Sequence, residues 1–215
     1  MENLPKVAVI GSGQVAQVLA KGFAKHGYVV VVGNRTPSKL ASFSTETGIR
    51  VVDPASAVGG AGMVVLAVKG TAAEEVVRSL TGVLAGKIVV DTTNPIADAP
   101  PVDGVLAYFT GPDASLMERL QELAPEAKFV KAFNSVGNPF MVDPAFPEGK
   151  PTMFIAGNDA SAKAEVAAVL SDFGWDSEDM GAAAAARPIE SLCQLWCARG
   201  FNGGGWGHAF KLLRA

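Results

Sequence analysis

Histidine, cysteine and clustered charge are all scarce in this chain of 215 residues, and each shortage removes a class of chemistry. The two histidines, His26 and His208, lie far apart. Neither completes a recognisable nucleophile elbow, and no C-x-x-C or H-E-x-x-H spacing occurs, which argues against nucleophilic and metal-assisted catalysis. No metal ligand set is expected, and His208 in GGGWGH reads as a structural residue or the border of a pocket. The two cysteines, Cys193 and Cys197, sit four apart on one face of an apolar helical stretch, where buried thiols pack as small hydrophobes. The N-terminus MENLPKVAVI lacks a charged leader, a long apolar core and a cleavage site. A reduced, cytoplasmic protein is expected. Lysine and arginine number 18 against 21 acids, a formal net charge of −3 with no block of one sign. Nothing there suggests a nucleic-acid groove or a basic membrane patch, so a small molecule is the expected partner. The longest apolar runs, such as Met63 to Val68, fall far short of the roughly 20 residues that a membrane helix needs.

What the chain does have is alternation. Short β-branched runs recur at Val7 to Ile10, Val29 to Val32, Met63 to Val68, Ile88 to Val90, Phe129 to Ala132 and Met153 to Ala156. Between most of them lie stretches of helical periodicity: Gln14 to His26, Pro37 to Thr47, Thr71 to Leu80, Ser115 to Leu123 and Ser161 to Phe173. Nearly continuous apolar strands mean burial on both faces, which predicts an α/β fold with a mostly parallel, doubly wound sheet. Gly137 to Pro151 contains Pro139, Pro144 and Pro147 and reads as a loop over the active face or a soft boundary. Residues 1–150 are expected to form the nucleotide-binding domain, and 151–215 a β-α pair with a small C-terminal helical extension. In that extension Pro188 suits a first helical turn, followed by Ile189, Leu192, Leu195 and Trp196 at helical spacing.

Directly after the first strand comes Gly11-Ser12-Gly13-Gln14-Val15-Ala16, a G-x-G-x-x-A pattern that opens a helix. Gly11 permits the tight turn, Gly13 lets backbone amides approach a pyrophosphate, and Ala16 lets the helix sit close on the strand. The unpaired N–H groups and partial positive charge of the helix start favour an anion. Strand, glycine turn, helix and second strand together give the β-α-β unit of a Rossmann dinucleotide site.

The end of that second strand decides the nucleotide. An NAD site usually carries Asp or Glu there, to accept from the ribose hydroxyls. This chain has Asn34-Arg35-Thr36 instead. Arg35 offers a planar donor fork suited to phosphate, and Asn34 and Thr36 can donate to the same oxygens. Two charge-assisted bonds of about 1.5–3 kcal/mol each give a preference of roughly a hundredfold or more for a 2′-phosphate, so NADP(H) is the expected cofactor. The competing reading makes Arg35 a solvated loop cation and Asn34 a turn residue. Lys39, in an exposed first helical turn, reads as solvated rather than as a further phosphate contact.

Later strand ends also turn polar, at Val68-Lys69-Gly70, at Asp91-Thr92-Thr93-Asn94-Pro95 and at Phe133-Asn134-Ser135. In open α/β sheets ligands gather beyond such ends. Asn94 and Asn134 can each donate and accept, as orienting a carboxamide or a ring edge requires, and they are the candidate catalytic pair. The alternative is that they close turns. Hydride transfer fits this inventory, because the cofactor carries the difficult step and the protein positions two rings.

The segments VAVIGSGQVAQVLAKGFAKHGY, VVVGNRTPSKL, VVDTTNPI, VKAFNSVG, FIAGND and EDMGAAAAARPIESLCQLW resemble the coenzyme F420-dependent NADP oxidoreductases, and the cytosolic domain of the STEAP metalloreductases is similar too. The likeness extends to FNGGGWGHAFKLLR at the end. It implies an NADP-binding Rossmann domain with a deazaflavin laid against the nicotinamide. On that resemblance Gly11, Ser12, Gly13, Gln14 and Val15 line the pyrophosphate turn, and Asn34, Arg35 and Thr36 the 2′-phosphate. Val68 and Lys69 lie along the middle of the cofactor, Asn94, Pro95, Phe133 and Asn134 near the nicotinamide, and FNGGGWG approaches the second ring. The partner of the hydride is F420, FMN or FAD, and a homodimer is expected. Two other readings stay open. One is a non-catalytic NADPH sensor. The other is a small imine or ketone reductase related to pyrroline-5-carboxylate reductase, although only some 60 residues follow Pro151, short of that class's helical dimerisation domain.

Overall fold

The computed structural model describes residues 4–214. Strands β1 (Val7–Ile10), β2 (Val30–Gly33), β3 (Arg50–Val52), β4 (Met63–Leu66), β5 (Ile88–Asp91) and β6 (Lys128–Lys131) form one parallel sheet in the order β3-β2-β1-β4-β5-β6. This is the doubly wound Rossmann order, with its switch point between β1 and β4. Helices α1 (Gln14–Lys25), α2 (Ala41–Thr47), α3 (Pro54–Gly59), α4 (Gly70–Leu84) and α5 (Leu116–Leu123) connect the strands. Side chains alternate across each strand, so Val7 and Val9 join the apolar cluster containing Leu19 and Phe23, while Ala8 and Ile10 join the cluster containing Val77 and Leu80. Burial on both faces explains why β1 and β4 are apolar at every position.

After β6 the chain crosses a loop containing a 3-10 turn, Asn138–Phe140, and forms β7 (Thr152–Ile155), α6 (Ala160–Asp172) and β8 (Asp176–Asp179). The last two strands pair in parallel with each other. The Lys131 N–H donates to Ala156 O (2.9 Å), an antiparallel bridge between the exit of β7 and the edge of the main sheet. Phe173, following α6, packs on Phe23 of α1 at 4.9 Å between ring centroids, so residues on both sides of position 150 share one core.

Helix α7 (Ala186–Arg199) follows a 3-10 turn at Ala183–Ala185 and runs into a π turn at Gly200–Gly204. Cys193 and Cys197 are free thiols with their sulfurs 4.0 Å apart, Cys193 being buried, in keeping with a packing role. The tail then passes β7, where Thr152 N–H donates to Phe210 O (2.8 Å).

Two strands and one helix exceed the sequence expectation. Strand β3 and helix α3 are three and six residues long, too short to carry a period. Strand β8 reads Asp-Ser-Glu-Asp and has no hydrophobic alternation. It is a strand because β7 supplies a backbone ladder, and its charges suit an edge that must not pair further.

Candidate dinucleotide site

A cleft of about 710 Å³ opens over the carboxyl ends of β1, β2 and β4. Its lining includes Gly11, Ser12, Gly13, Gln14 and Val15, then Asn34 and Arg35, then Val68 and Lys69, so most of the predicted cofactor residues meet there. Gly11 is required by geometry alone. Its φ is +145°, and a Cβ would stand 2.1 Å from Ala67 O. Gly13 is different, because its φ of −73° and ψ of 178° suit any residue and a Cβ there would meet nothing within 4 Å. Neither conformation nor internal packing demands glycine at that position, which leaves the space before the helix as the reason.

Two helix starts at the cleft share a second property. Side chains of Asp53, Ser115 and Asp159 cap α3, α5 and α6, and α3 starts at Pro54, itself in the lining, whereas α2 and α7, outside it, have no side-chain cap. At the cleft the N-cap residues of α1 and α4, Gly13 and Lys69, likewise supply no capping side chain. Uncapped first-turn amides are an anion site waiting for acceptors, and two such ends converge on one cleft. Gln17 Nε2 donates to Ser12 O (3.0 Å) and steadies the glycine turn.

At the end of β2, Asn34 N–H donates to Val52 O (3.0 Å), while Asn34 Oδ1 accepts from Thr36 N–H (2.8 Å). Asn34 and Thr36 therefore do close a turn, and Thr36 lies outside the cleft lining. That turn presents Arg35, whose Nη1 lies 3.6 Å from Glu75 Oε1 of α4. Lys69 Nζ similarly lies 3.7 Å from Asp98 Oδ1. Both pairs are largely exposed and add little to stability, so an incoming phosphate can displace them cheaply.

Asn94, Pro95, Phe133 and Asn134 stand beside the cleft rather than in its lining. Asn94 Nδ2 donates to Asn134 O (2.8 Å), and Asn134 Nδ2 donates to Asn94 Oδ1 (3.0 Å) and to Ile189 O (2.9 Å). The two asparagines thus clasp each other across the exits of β5 and β6 and hold α7 against them. Asn134 Oδ1 is buried without a partner. Phe133 occupies a left-handed conformation, φ +61°, which its ring, buried beside Phe173, holds in place.

Beneath this clasp lies a polar hub that the sequence did not reveal. Lys131 is wholly buried, with Nζ 2.6 Å from Asp91 Oδ2 and 2.8 Å from Glu190 Oε1, and donates to Thr93 O (2.8 Å). Glu190, on α7, also accepts from the first-turn amides Leu116 N–H (2.9 Å) and Met117 N–H (3.1 Å) of α5. Burial pulls the ammonium pKa down, but Asp91 and Glu190 outweigh it and Lys131 stands above its ordinary value. The hub locks β5, β6, α5 and α7 together behind the site. Its only sequence sign is a lysine inside the apolar run FVKAF.

The FNGGGWG segment flanks the far side of α7. His208 stacks on Trp196 (4.8 Å, 18°), and Trp206 lies 5.3 Å from Trp196. An added Cβ at Gly137 would stand 3.2 Å from Trp196 Cζ2, and Asn138, the next residue, lines the cleft. The aromatic group therefore adjoins the cleft without entering it. Burial lowers the His208 pKa below its ordinary value. Among the described residues no cluster of three or more potential metal ligands occurs, and no helix is long and apolar enough to cross a membrane.

A doubly wound parallel sheet whose switch point opens between two uncapped helix ends is the architecture of a dinucleotide-binding protein. The chain belongs to the family of NADP oxidoreductases, coenzyme F420-dependent, whose pattern matches residues 6–95. A crystal structure from Arthrobacter sp. FB24, provisionally an F420-dependent NADP reductase, superposes with a TM-score of 0.92 at 32% identity, covering 98% of this chain and 100% of that one. A hypothetical protein from Sinorhizobium meliloti gives 0.75 at 29% identity over 88% of this chain and 91% of its own. Metalloreductase STEAP3 of Rattus norvegicus is 30% identical over 191 residues, 89% of this chain but 37% of that protein. The chain thus spans little more than a third of the curated relatives it matches.

Proposed function

We propose that the protein moves a hydride between NADP(H) and a flavin-like partner, either a deazaflavin of the F420 type or FMN or FAD. The observation that carries this reading is Gly13, an open position in front of an uncapped helix, in one cleft with Arg35. Gln14 and Val15 offer amides to the pyrophosphate, Arg35 and its turn hold the 2′-phosphate, and Val68 and Lys69 flank the middle of the nucleotide. When bound, the nicotinamide supplies the hydride chemistry. Asn94 and Asn134 fix the strand exits beside which its ring would rest, with Pro95 and Phe133 next to them along the chain. No side chain needs to act as acid or base. Residues 151–215 complete the acceptor side, where FNGGGWG borders the second ring. Exposed Leu195, Phe201 and Trp206 support a homodimer, which light scattering at working concentration checks; a monomer would reject it. The two free thiols fit a reducing, cytoplasmic setting.

The test is NADPH oxidation with F420, FMN, FAD, ferric chelates and imines offered in parallel. Turnover with F420 or a flavin is expected. Turnover with imines alone would make the protein an imine reductase, and tight NADPH binding with no turnover at all would make it a sensor.

A further inference from the structure

The end of β2 lacks an acid, yet one carboxylate does reach the same part of the cleft. It comes from α4, where Glu75 is the single acidic residue among the described residues that line the cleft. Its carboxylate faces Arg35 at 3.6 Å, with the two side chains 79% and 77% exposed. A pair so open to water adds little to the fold. Its position matters more: a carboxylate stands beside the very guanidinium that would grip a phosphate.

We infer that Glu75 sets how strongly the protein prefers NADPH over NADH, an inference that rests on the reading of Arg35 as the 2′-phosphate ligand. In the free protein Arg35 pairs with Glu75. A 2′-phosphate takes Arg35 over and then lies close to a carboxylate of like charge, which weakens NADPH binding. A 2′-hydroxyl carries no charge to repel and is itself a donor. Glu75 offers it the acceptor that an acid at the end of β2 supplies in NAD sites. The two side chains therefore act as a graded selector, Arg35 favouring phosphate and Glu75 favouring hydroxyl, and the preference is smaller than Arg35 alone would give.

The test measures dissociation constants of NADPH and NADH by calorimetry on the full chain, in the wild type and three variants. Glu75→Gln should tighten NADPH, weaken NADH and raise the affinity ratio about tenfold, the scale of one carboxylate–phosphate repulsion across a few ångströms of largely aqueous medium. Glu74→Gln removes the same charge one residue away, where Glu74 pairs with Arg119 at 3.5 Å, and should leave the ratio unchanged. An unchanged ratio in Glu75→Gln, or an equal shift in Glu74→Gln, overturns the inference. Arg35→Gln separates the two levels. If it leaves NADPH binding intact, the phosphate reading itself fails; if it weakens NADPH while Glu75→Gln does nothing, only the selector fails.

Discussion

Replacing Gly13 with alanine separates ligand from fold, because binding should respond strongly and stability hardly at all. The backbone there suits alanine, and the new methyl group would meet no protein atom within 4 Å. Restricting the unfolded chain adds about 0.4–1 kcal/mol of stability, and alanine in place of glycine as the N-cap of α1 removes a similar amount. For a domain of this size Tm should then stay within roughly 4 °C of the wild type. Binding should suffer instead, since the methyl group enters the space before the first turn of α1. Losing one charge-assisted amide–phosphate bond of about 1.5–3 kcal/mol lowers NADPH affinity by roughly tenfold to a hundredfold. Thermal unfolding by circular dichroism and an NADPH titration read the two effects. A folded variant that binds NADPH as well as the wild type would show that no phosphate approaches Gly13. A Tm lowered by roughly 10 °C or more, beyond what the loss of a cap explains, would show that the position is not open.

Arg35→Asp sets an anion against the 2′-phosphate and should shift preference from NADPH to NADH, and unchanged NADPH affinity would show Arg35 to be idle. Lys131→Met leaves Asp91 and Glu190 buried without their cation, which costs about 3–5 kcal/mol and lowers Tm by roughly 10 °C or more; a melt within error of the wild type would remove the hub from the account. Asn134→Ala leaves Asn94 Oδ1 and Ile189 O without their donor. It should reduce kcat in the acceptor assay with little change in NADPH affinity, while an unaffected kcat would make the clasp irrelevant to turnover. Glu118 supplies a pH test, because hydrogen bonds from Arg187, then from Ser115, hold its carboxyl at about 2 rather than 4.5. The folded carboxylate takes up a proton less readily than the unfolded one, so its stabilisation is full above about 4.5 and drains as pH falls towards 2. Glu118→Gln should flatten the dependence of Tm on pH in that window, and identical slopes would refute the assignment.

How far the sequence could be read followed from the range of the interactions involved. Strands β1, β4 and β5 are buried on both faces, so their apolar runs announced them, and the glycine turn was visible because its spacing is local. Strand β8 was invisible, since the backbone of β7 and not its own side chains makes Asp176–Asp179 a strand. Glu75 was missed because an acid in the second turn of a helix looks solvated until the fold brings the first turns of α4 to the same cleft as Arg35. The polarity of Asn94 and Asn134 at successive strand exits marked their shared location, but not that each would hold the other. Lys131 needed three partners from separate parts of the chain, and no window of sequence contains them.

The most direct measurement is a crystal structure of the protein with NADPH bound. The pyrophosphate should rest on the amides of Gln14 and Val15 with an oxygen in the space beside Gly13, and the 2′-phosphate should touch Arg35 with Glu75 turned away. A nucleotide whose adenosine end lies elsewhere, leaving that helix start and Arg35 untouched, would contradict the account.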